Sequence, residues 1–599
     1  MGFLSVVNGL MAIDKPQALP ESREPPAGRR LDSWKEIATY LKRDESTVRR
    51  WEREGLPVHR RAHKSKASVY AYEAEIDAWW NDGSTRLEVM EAAAAGRRRR
   101  VVWGTTAGLL LLLGAGAGVN VGGLRDWLVG RPVAGEITSI AVLPLKNLSG
   151  DPAQDYFAEG MTEALITELG KISSLQVLSY QSVIGYRQTV KPLPEIAHQL
   201  KVGALLEGAV LHSGDRIRIT ANLVQAVPER HLWAQSYEFD PRDILAAQGE
   251  VARGVARQIR AQLTPQEQAR LTTSRRVDPE AYEAYLLGRA YSSKARTRTS
   301  WTRAKEYFEK AIAKDPGYAP AYASLAELYI QTSGGGILAR DPSEARLKAR
   351  QWAEKALKLD DTVAEAHTAL ARVAQQEWVW AGAEREYRRA IELNPSYPLA
   401  RIWYAIYLYA MQRFEEAAAQ AKRAQQLDPG SPLINTWAGA AYFFAGRGEE
   451  AMASWQKALE LDPSYSDASI VLARTYVTRG MYQQAVAELQ KALIFNAREP
   501  FVLGVLAHAY ARAGRRKDAL KLVGELKRIE AERGSIPTYS IIWAYAGLGD
   551  KEQAFAWLEK SYEEHRDRMV WLNVDPLLDP LRPDPRFHDL VRRVGLPTK

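Results

Sequence analysis

The stretch "FEEAAAQAKRAQQLDPGSPLINTWAGAAYFFAGRGEEAMASWQKALELDP", Phe414–Pro463, decides the fold because it holds the same pattern twice. Small residues return at a step of 34 positions, and both units end in Leu-Asp-Pro. A small side chain lets two helices pack closely, and a proline ends the second helix before the next unit begins. The step continues on both sides of the stretch, through Ala383, Ala417, Ala451, Ala485 and Ala519, and through Pro395, Pro429 and Pro463.

This pattern resembles that of tetratricopeptide repeats, and about eight units fit between residues 279 and 599. The resemblance implies an α-solenoid whose concave face is a groove for a protein or peptide partner. The final segment, "DPLLDPLRPDPRFHDLVRRVGLP", resembles the usual carboxy-terminal cap of such arrays. Helix packing explains any single aromatic candidate for the groove equally well. The candidate groove residues are Tyr404, Tyr407, Asn435 and Tyr476.

The run Arg97–Arg100 leads into the uncharged, mostly apolar stretch Val101–Gly123. Such a stretch is long enough to cross a bilayer as one helix, and flanking arginines favour a cytoplasmic amino terminus. We therefore expect a single-pass protein of the bacterial inner membrane, with its carboxy-terminal domains periplasmic; a buried helix is the alternative. Gly104 and Gly108 have the spacing of dimerising membrane helices, so a homodimer is possible, although glycine is common in such helices anyway.

Residues 29–83 read as helix, turn, helix, basic hairpin and helix, between a disordered tail at 1–28 and a linker at 84–100. Ser33 and Glu36 form a capping box, and Ser46 is the expected cap of the second helix. The order predicts a winged helix-turn-helix domain that binds double-stranded DNA through arginines and hydroxyls, with a solvated cationic face as the alternative. The candidate DNA-binding residues are Ser46, Thr47, Arg49, Arg50, Arg53, Arg60, Arg61, His63, Lys64 and Lys66.

The segments "TVRRWEREGLPVHRR" and "SVYAYEAEIDAWW" in this region resemble the winged helix-turn-helix of MerR-type and excisionase-like regulators. The resemblance covers about fifty residues and implies sequence-specific DNA binding. The effector-binding coiled coil of that family has no counterpart in the chain.

Residues 136–270 alternate between strands and helices, beginning with "SIAVLPL" at Ser139–Leu145. Ser213-Gly214-Asp215 predicts a hairpin turn between two of the strands, and the whole predicts a small α/β domain. "SIAVLPLKNLSGDPAQDYFAEGMTEALITEL" resembles the domain related to the amino-terminal part of TolB and to FlgO. In related architectures the preceding module is a nucleotide cyclase, a Ser/Thr kinase or a DNA-binding domain. The TolB- and FlgO-related domain itself implies no catalysis.

The composition and motifs argue against catalysis. The 599 residues carry a net charge of +9 and no cysteine, which excludes disulfides, thiolate metal sites and cysteine nucleophiles. His565–Asp567 matches the triplet of a kinase catalytic loop, but Leu572 stands where that loop needs asparagine. We expect no enzyme, no cofactor and no metal ion.

The order of domains is similar to that of membrane-anchored one-component transcription regulators of the ToxR and CadC type. This resemblance implies a multidomain, mainly α protein that binds DNA inside the cell and senses a signal or protein partner outside. The alternative is an envelope scaffold or adaptor that uses the repeats for protein–protein interaction.

Overall fold

The computed structural model describes residues 29–598, apart from 53–55, 62–67, 80–136, 215, 273–274, 294–296, 334–341, 496–497 and 534–537. The chain divides into two units, Met1–Ala134 and Gly135–Lys599. The expected tail at 1–28, the linker at 84–100 and the expected span Val101–Gly123 lie outside the described residues. Within the described ranges, no helix is both long and apolar enough to cross a membrane.

The described residues of the first unit form a small antiparallel sheet, in the strand order β1-β3-β2, and three short helices. Its core consists of Ile37, Val48, Trp51 and Ile76, each at most 1% exposed. The elements follow the predicted order of helix, turn, helix, hairpin and helix. They are β1 (Arg30–Leu31), α1 (Trp34–Tyr40), α2 (Glu45–Glu52), β2 (His59–Arg61), β3 (Ser68–Tyr72) and α3 (73–79).

The caps of α1 and α2 differ in how well the sequence predicted them. The Ser33 hydroxyl accepts a hydrogen bond from the backbone N–H of Glu36 at 3.2 Å, as expected of the capping box. For α2, the prediction of Ser46 as the cap was wrong, because the helix begins at Glu45 and Asp44 accepts from the Thr47 N–H at 2.9 Å. Hydrogen bonds from Ser46 and Thr47 lower the pKa of Asp44 to about 2.

The second unit begins with an α/β domain built on a sheet in the strand order β6-β4-β7-β8-β9, with β5 also paired to β7. β4 is parallel to β6 and β7, and β7, β8 and β9 form an antiparallel meander with the predicted turn between Ser213 and Arg216. The strands are β4 (Ser139–Val142), β5 (Lys146–Asn147), β6 (Gln176–Val177), β7 (Ala204–Ser213), β8 (Arg216–Gln225) and β9 (Arg230–Phe239). The helices are α4 (Asp155–Gly170), α5 (Tyr180–Val183), α6 (Leu193–Leu200), α7 (Ile244–Gln258) and α8 (Pro265–Thr272).

The rest of the second unit is an array of helix pairs, which we number as repeats 1 to 8. The small residues that set the period, such as Ala417 and Ala451, are at most 1% exposed and lie where paired helices touch. The pairs are α9 (Pro279–Ser292) and α10 (Arg298–Lys314); α11 (Ala319–Ser333) and α12 (Pro342–Leu359); α13 (Ala364–Gln376) and α14 (Trp380–Leu393); α15 (Pro398–Ala410) and α16 (Phe414–Leu427); α17 (Pro432–Phe444) and α18 (Gly448–Leu461); α19 (Ser466–Thr478) and α20 (Tyr482–Phe495); α21 (Pro500–Arg512) and α22 (Arg516–Arg533); α23 (Thr538–Leu548) and α24 (Lys551–Glu563).

The chain after repeat 8 forms a cap of two 3-10 turns, Asp567–Trp571 and Pro576–Leu581, followed by α25 (Pro585–Val594). The cap brings repeat 8 against repeat 3. The Trp378 ring stacks on His565 with ring centroids 4.1 Å apart, and the Trp380 indole N–H donates to the carbonyl of Val594 at 3.0 Å. The array therefore curves far enough for its last repeat to meet its third.

Candidate interaction sites on the repeats

The ends of the second helices and the described residues that follow them form a row along repeats 2 to 6, which we call the loop ridge (359–362, 393–396, 427–430, 461–464, 494–495 and 498). The α/β domain packs on the part of the loop ridge that repeats 3 and 4 contribute. The Val177 N–H donates to the Ser396 hydroxyl at 3.1 Å, and the Ser179 N–H donates to the Leu427 carbonyl at 2.9 Å. Edge strand β6 and the residues after it thus find hydrogen-bond partners on the ridge.

Asp428 is the most buried charged group in this interface, at 6% exposure. The Ser182 hydroxyl donates to its carboxylate at 2.9 Å. Burial raises the pKa of Asp428 to about 6, although the hydrogen bonds from Ser179 and Ser182 act in the opposite direction. The backbone at Gly430 approaches just as closely, since a Cβ there would lie 3.1 Å from the Cα of Ser182.

At the last residue of each second helix, the exposed fraction depends on whether the α/β domain covers that part of the ridge. The last residue of the second helix is 39% exposed in repeat 2, at Leu359. It is 2% exposed at Leu393 and 0% at Leu427, where the α/β domain covers the ridge. It is 38% exposed at Leu461 and 58% at Phe495, beyond the domain. Ile494 is 80% exposed, so no described part of the chain covers the apolar side chains at this end of the ridge in repeats 5 and 6.

The concave face of the array holds the cap. The carboxylate of Asp575 is fully buried and pairs with Arg474 at 2.7 Å. It also accepts a hydrogen bond from the Trp543 indole N–H at 2.7 Å. The Trp571 ring packs on Trp437 with centroids 5.6 Å apart. The cap therefore crosses the face that the sequence predicts as an open groove.

A cavity of about 280 Å³ remains between the cap and the first helices of the repeats. The guanidinium of Arg372 lies 4.0 Å from the ring centroid of Trp403 on one side, and that of Arg568 lies 3.7 Å from Phe501 on the other. Burial raises the pKa of Asp567, which also borders the cavity, to about 6. The other lining residues are Gln331, Gln375, Gln376, Tyr387, Ile406, Trp437, Ser466, Asp467, Glu499, Val570 and Trp571.

The predicted groove residues do not line this cavity. Tyr404, Tyr407 and Asn435 are 5%, 3% and 4% exposed. The Tyr404 hydroxyl donates to Glu384 of the preceding repeat at 2.9 Å, and Tyr476 is half-buried against the repeat cores. These side chains therefore pack between helices, which is the alternative that the sequence leaves open. Neighbours on a helix point about 100° apart, which is why Trp403 faces the cavity and Tyr404 does not.

The candidate DNA-binding residues occupy the exposed side of α2 and the hairpin, as far as they are described. Arg49 and Arg50 are exposed, and the Arg49 guanidinium lies 5.1 Å from the Trp34 ring centroid. Arg60 pairs with Glu52 at 2.6 Å, and Arg61 lies in β2. Ser46 and Thr47 both donate their hydroxyls to Asp44. Arg53, His63, Lys64 and Lys66 lie outside the described residues.

Comparison with known families supports the repeats. A family model described as "Tetratricopeptide repeat" matches residues 442–501, which fall in repeats 5 to 7. The chain carries tetratricopeptide repeats. Solved structures similar to this tetratricopeptide array include PilF of Pseudomonas aeruginosa, which is 23% identical, with 36% of this chain and 92% of that chain covered and a TM-score of 0.29. A tetratricopeptide protein of Thermus thermophilus is 19% identical, with 31% and 94% covered and a TM-score of 0.26.

One curated relative matches about a third of the chain. It is the putative adenylate cyclase 3 of Rhizobium meliloti (strain 1021), 38% identical over 188 residues. The match covers 31% of this chain and 32% of that protein, so the chain spans about a third of the relative's length.

Proposed function

We propose that this protein is an adaptor that binds a protein partner on the loop ridge of repeats 5 and 6. Tetratricopeptide repeats serve protein–protein interaction, which supports the proposal. The observation that carries it is the exposure of Leu461, Ile494 and Phe495 beside the stretch of ridge that the α/β domain covers. Three large apolar side chains are thus exposed at the ends of two successive second helices, and contiguous exposed apolar surface marks interaction sites.

The internal interface indicates what such a partner must offer. At repeats 3 and 4 the α/β domain supplies backbone N–H groups to ridge carbonyls and hydroxyls, as Ser179 and Val177 do. A partner on repeats 5 and 6 would supply donors in the same way and apolar side chains against Phe495. Full burial of one such side chain contributes about 1.5–3 kcal/mol.

A pair of charge-introducing variants tests the proposal. Ile494→Asp with Phe495→Asp in the full chain should abolish co-purification of the partners retained by the unaltered protein. Leu520→Asp is the matched control, because Leu520 is 45% exposed but lies in α22, away from the ridge loops. Retention of the same partners by the double variant would refute the proposal.

A second function, DNA binding by the first unit, is favoured by the two sides of α2. Val48 and Trp51 are buried on one side, while Arg49 and Arg50 are exposed on the other. An exposed arginine pair on a short helix suits phosphate and base contacts. In this proposal Val101–Gly123 spans the bacterial inner membrane, residues 29–83 are cytoplasmic and the repeats are periplasmic, so that the chain is a non-enzymatic transcription regulator.

The DNA-binding proposal is tested on the full chain with a library of random duplexes at two salt concentrations. Arg49→Ala with Arg50→Ala should remove the selected sequence and reduce the salt dependence, because each lost phosphate contact lowers the slope. Arg385→Ala, on the surface of repeat 3, should change neither. Enrichment of the same sequence by the double variant would contradict the assignment.

A further inference from the structure

The cavity beneath the cap is lined by an arginine that forms no ion pair among the residues the structure describes. Arg568 is 9% exposed, and its guanidinium lies among the rings of Phe501, Trp571 and Trp543, at 3.7, 4.9 and 5.8 Å. Its buried Nε has no hydrogen-bond partner among the described residues. A buried guanidinium N–H that lacks an acceptor is costly, and a bound anion that accepts from it would remove that cost.

A second guanidinium borders the same cavity. Arg372 lies over the ring of Trp403 at 4.0 Å, and burial lowers its pKa. Within the described part of the chain, neither Arg372 nor Arg568 forms an ion pair. The indole N–H of Trp571, which also lines the cavity, is likewise buried without an acceptor in that part of the structure. Three donors therefore border one space of about 280 Å³.

The carboxylates nearby limit how much negative charge the cavity accepts. Asp467, Glu499 and Asp567 line it, and Glu327 lies close enough to influence Arg372. Glu499 also caps α21 by accepting from the Phe501 N–H. A ligand with several negative charges would be repelled by these groups, whereas a single charge placed between the two arginines would be paired.

We propose that this cavity binds a small aromatic monoanion, with its carboxylate between Arg372 and Arg568 and its ring against the tryptophans. Trp403, Trp437 and Trp571 supply flat apolar walls, which suit ring stacking. The volume is close to the lower end for small-molecule sites. This ligand site is separate from the partner surface on the loop ridge, and neither depends on the other.

Three probes with the same indole body test the charge requirement by calorimetry on the full chain. Indole-3-acetate should bind at least about tenfold more tightly than neutral indole-3-acetamide, because only the carboxylate adds a charge–charge attraction to its hydrogen bonds with the arginines. Cationic tryptamine should bind more weakly still. Equal affinity for the acetate and the amide, tighter binding of tryptamine, or no binding of the acetate would overturn the proposal.

Two variants test the position of the site. Arg372→Gln should weaken indole-3-acetate at least about tenfold while leaving the amide unchanged, and Arg568→Gln should do the same where thermal unfolding shows that it folds. Arg385→Gln, whose side chain is 73% exposed on repeat 3, is the matched control. An unchanged affinity of Arg372→Gln for the acetate would place any binding elsewhere and overturn the proposal.

Discussion

The loop ridge of repeats 3 and 4 and the loop ridge of repeats 5 and 6 are built from the same sequence pattern, yet one is buried and the other exposed. Leu427 and Leu461 occupy the same position, one repeat apart, at 0% and 38% exposure. The repeat pattern determines which side chains lie on the ridge, and the α/β domain determines which of these side chains are exposed to solvent. A repeated surface that is used once inside the molecule is thus available for a second use outside it.

The largest effect on the free energy of unfolding should come from truncating the apolar ridge residue that the α/β domain covers, compared with the equivalent exposed residue in the next repeat. Leu427→Ala removes a fully buried side chain and should lower the free energy of unfolding by about 2–5 kcal/mol. Leu461→Ala should lower it by only about 1 kcal/mol, because 38% of the residue is already exposed to water. Urea unfolding followed by circular dichroism measures both. Equal losses would show that coverage by the α/β domain does not distinguish the two loops.

The charged residue at the next ridge position should give an effect that depends on pH. Burial raises the pKa of Asp428 from its usual 3.8 to about 6. Between these two pH values the carboxyl is therefore protonated in the folded protein and ionised in the unfolded chain. Its contribution to stability is therefore greatest below about pH 4 and is lost as the pH rises through 6. Asp428→Asn should raise the free energy of unfolding at pH 8 by about 3 kcal/mol and at pH 4 by less than about 1 kcal/mol.

Asp462→Asn is the matched control for this pH dependence. Asp462 occupies the same position in repeat 5, where its carboxylate accepts from the Ser464 N–H at 2.9 Å within its own loop. Asp462 is only partly buried and asparagine can keep that hydrogen bond, so the variant should gain less stability at pH 8 than Asp428→Asn does. A gain at pH 8 for Asp462→Asn as large as that for Asp428→Asn would contradict the interpretation.

The smallest effect should come from the ridge serine. Ser396→Ala removes the acceptor of the Val177 N–H and the donor to the Leu175 carbonyl, which should cost about 1–2 kcal/mol. Ser464→Ala, the same change in repeat 5, removes only a hydroxyl that donates to Asp462 and should be close to neutral. Thermal unfolding separates the two variants; a loss for Ser464→Ala as large as that for Ser396→Ala would count against a specific interface.

Local patterns in the sequence predicted most of the elements of this fold. The 34-residue step of small residues predicted the helix pairs, and the turn at Ser213–Asp215 predicted the β7–β8 hairpin, because both depend on neighbours close in the chain. The cap of α2 was misplaced by two residues, since Asp44 and Ser46 are both good caps and only the start of the helix distinguishes them.

The candidate sites were harder to predict because they depend on contacts between distant segments. Val177 and Ser396 meet across 219 positions of the chain, and no periodicity in the sequence reports that contact. The same holds for the cap, which turns a predicted groove into a cavity. His565–Asp567, which matches a kinase motif by chance, belongs to this region. His565 stacks on Trp378 of repeat 3, and Asp567 lines the cavity.

Site-specific photo-crosslinking along the ridge tests the central claim most directly. A photoreactive residue would be placed singly at the five equivalent positions, Leu359, Leu393, Leu427, Leu461 and Phe495, in the full chain inside cells. The account predicts discrete adducts with another protein from positions 461 and 495, and none from the covered positions 393 and 427. The absence of adducts at 461 and 495, or equal yields at 393 and 427, would contradict it.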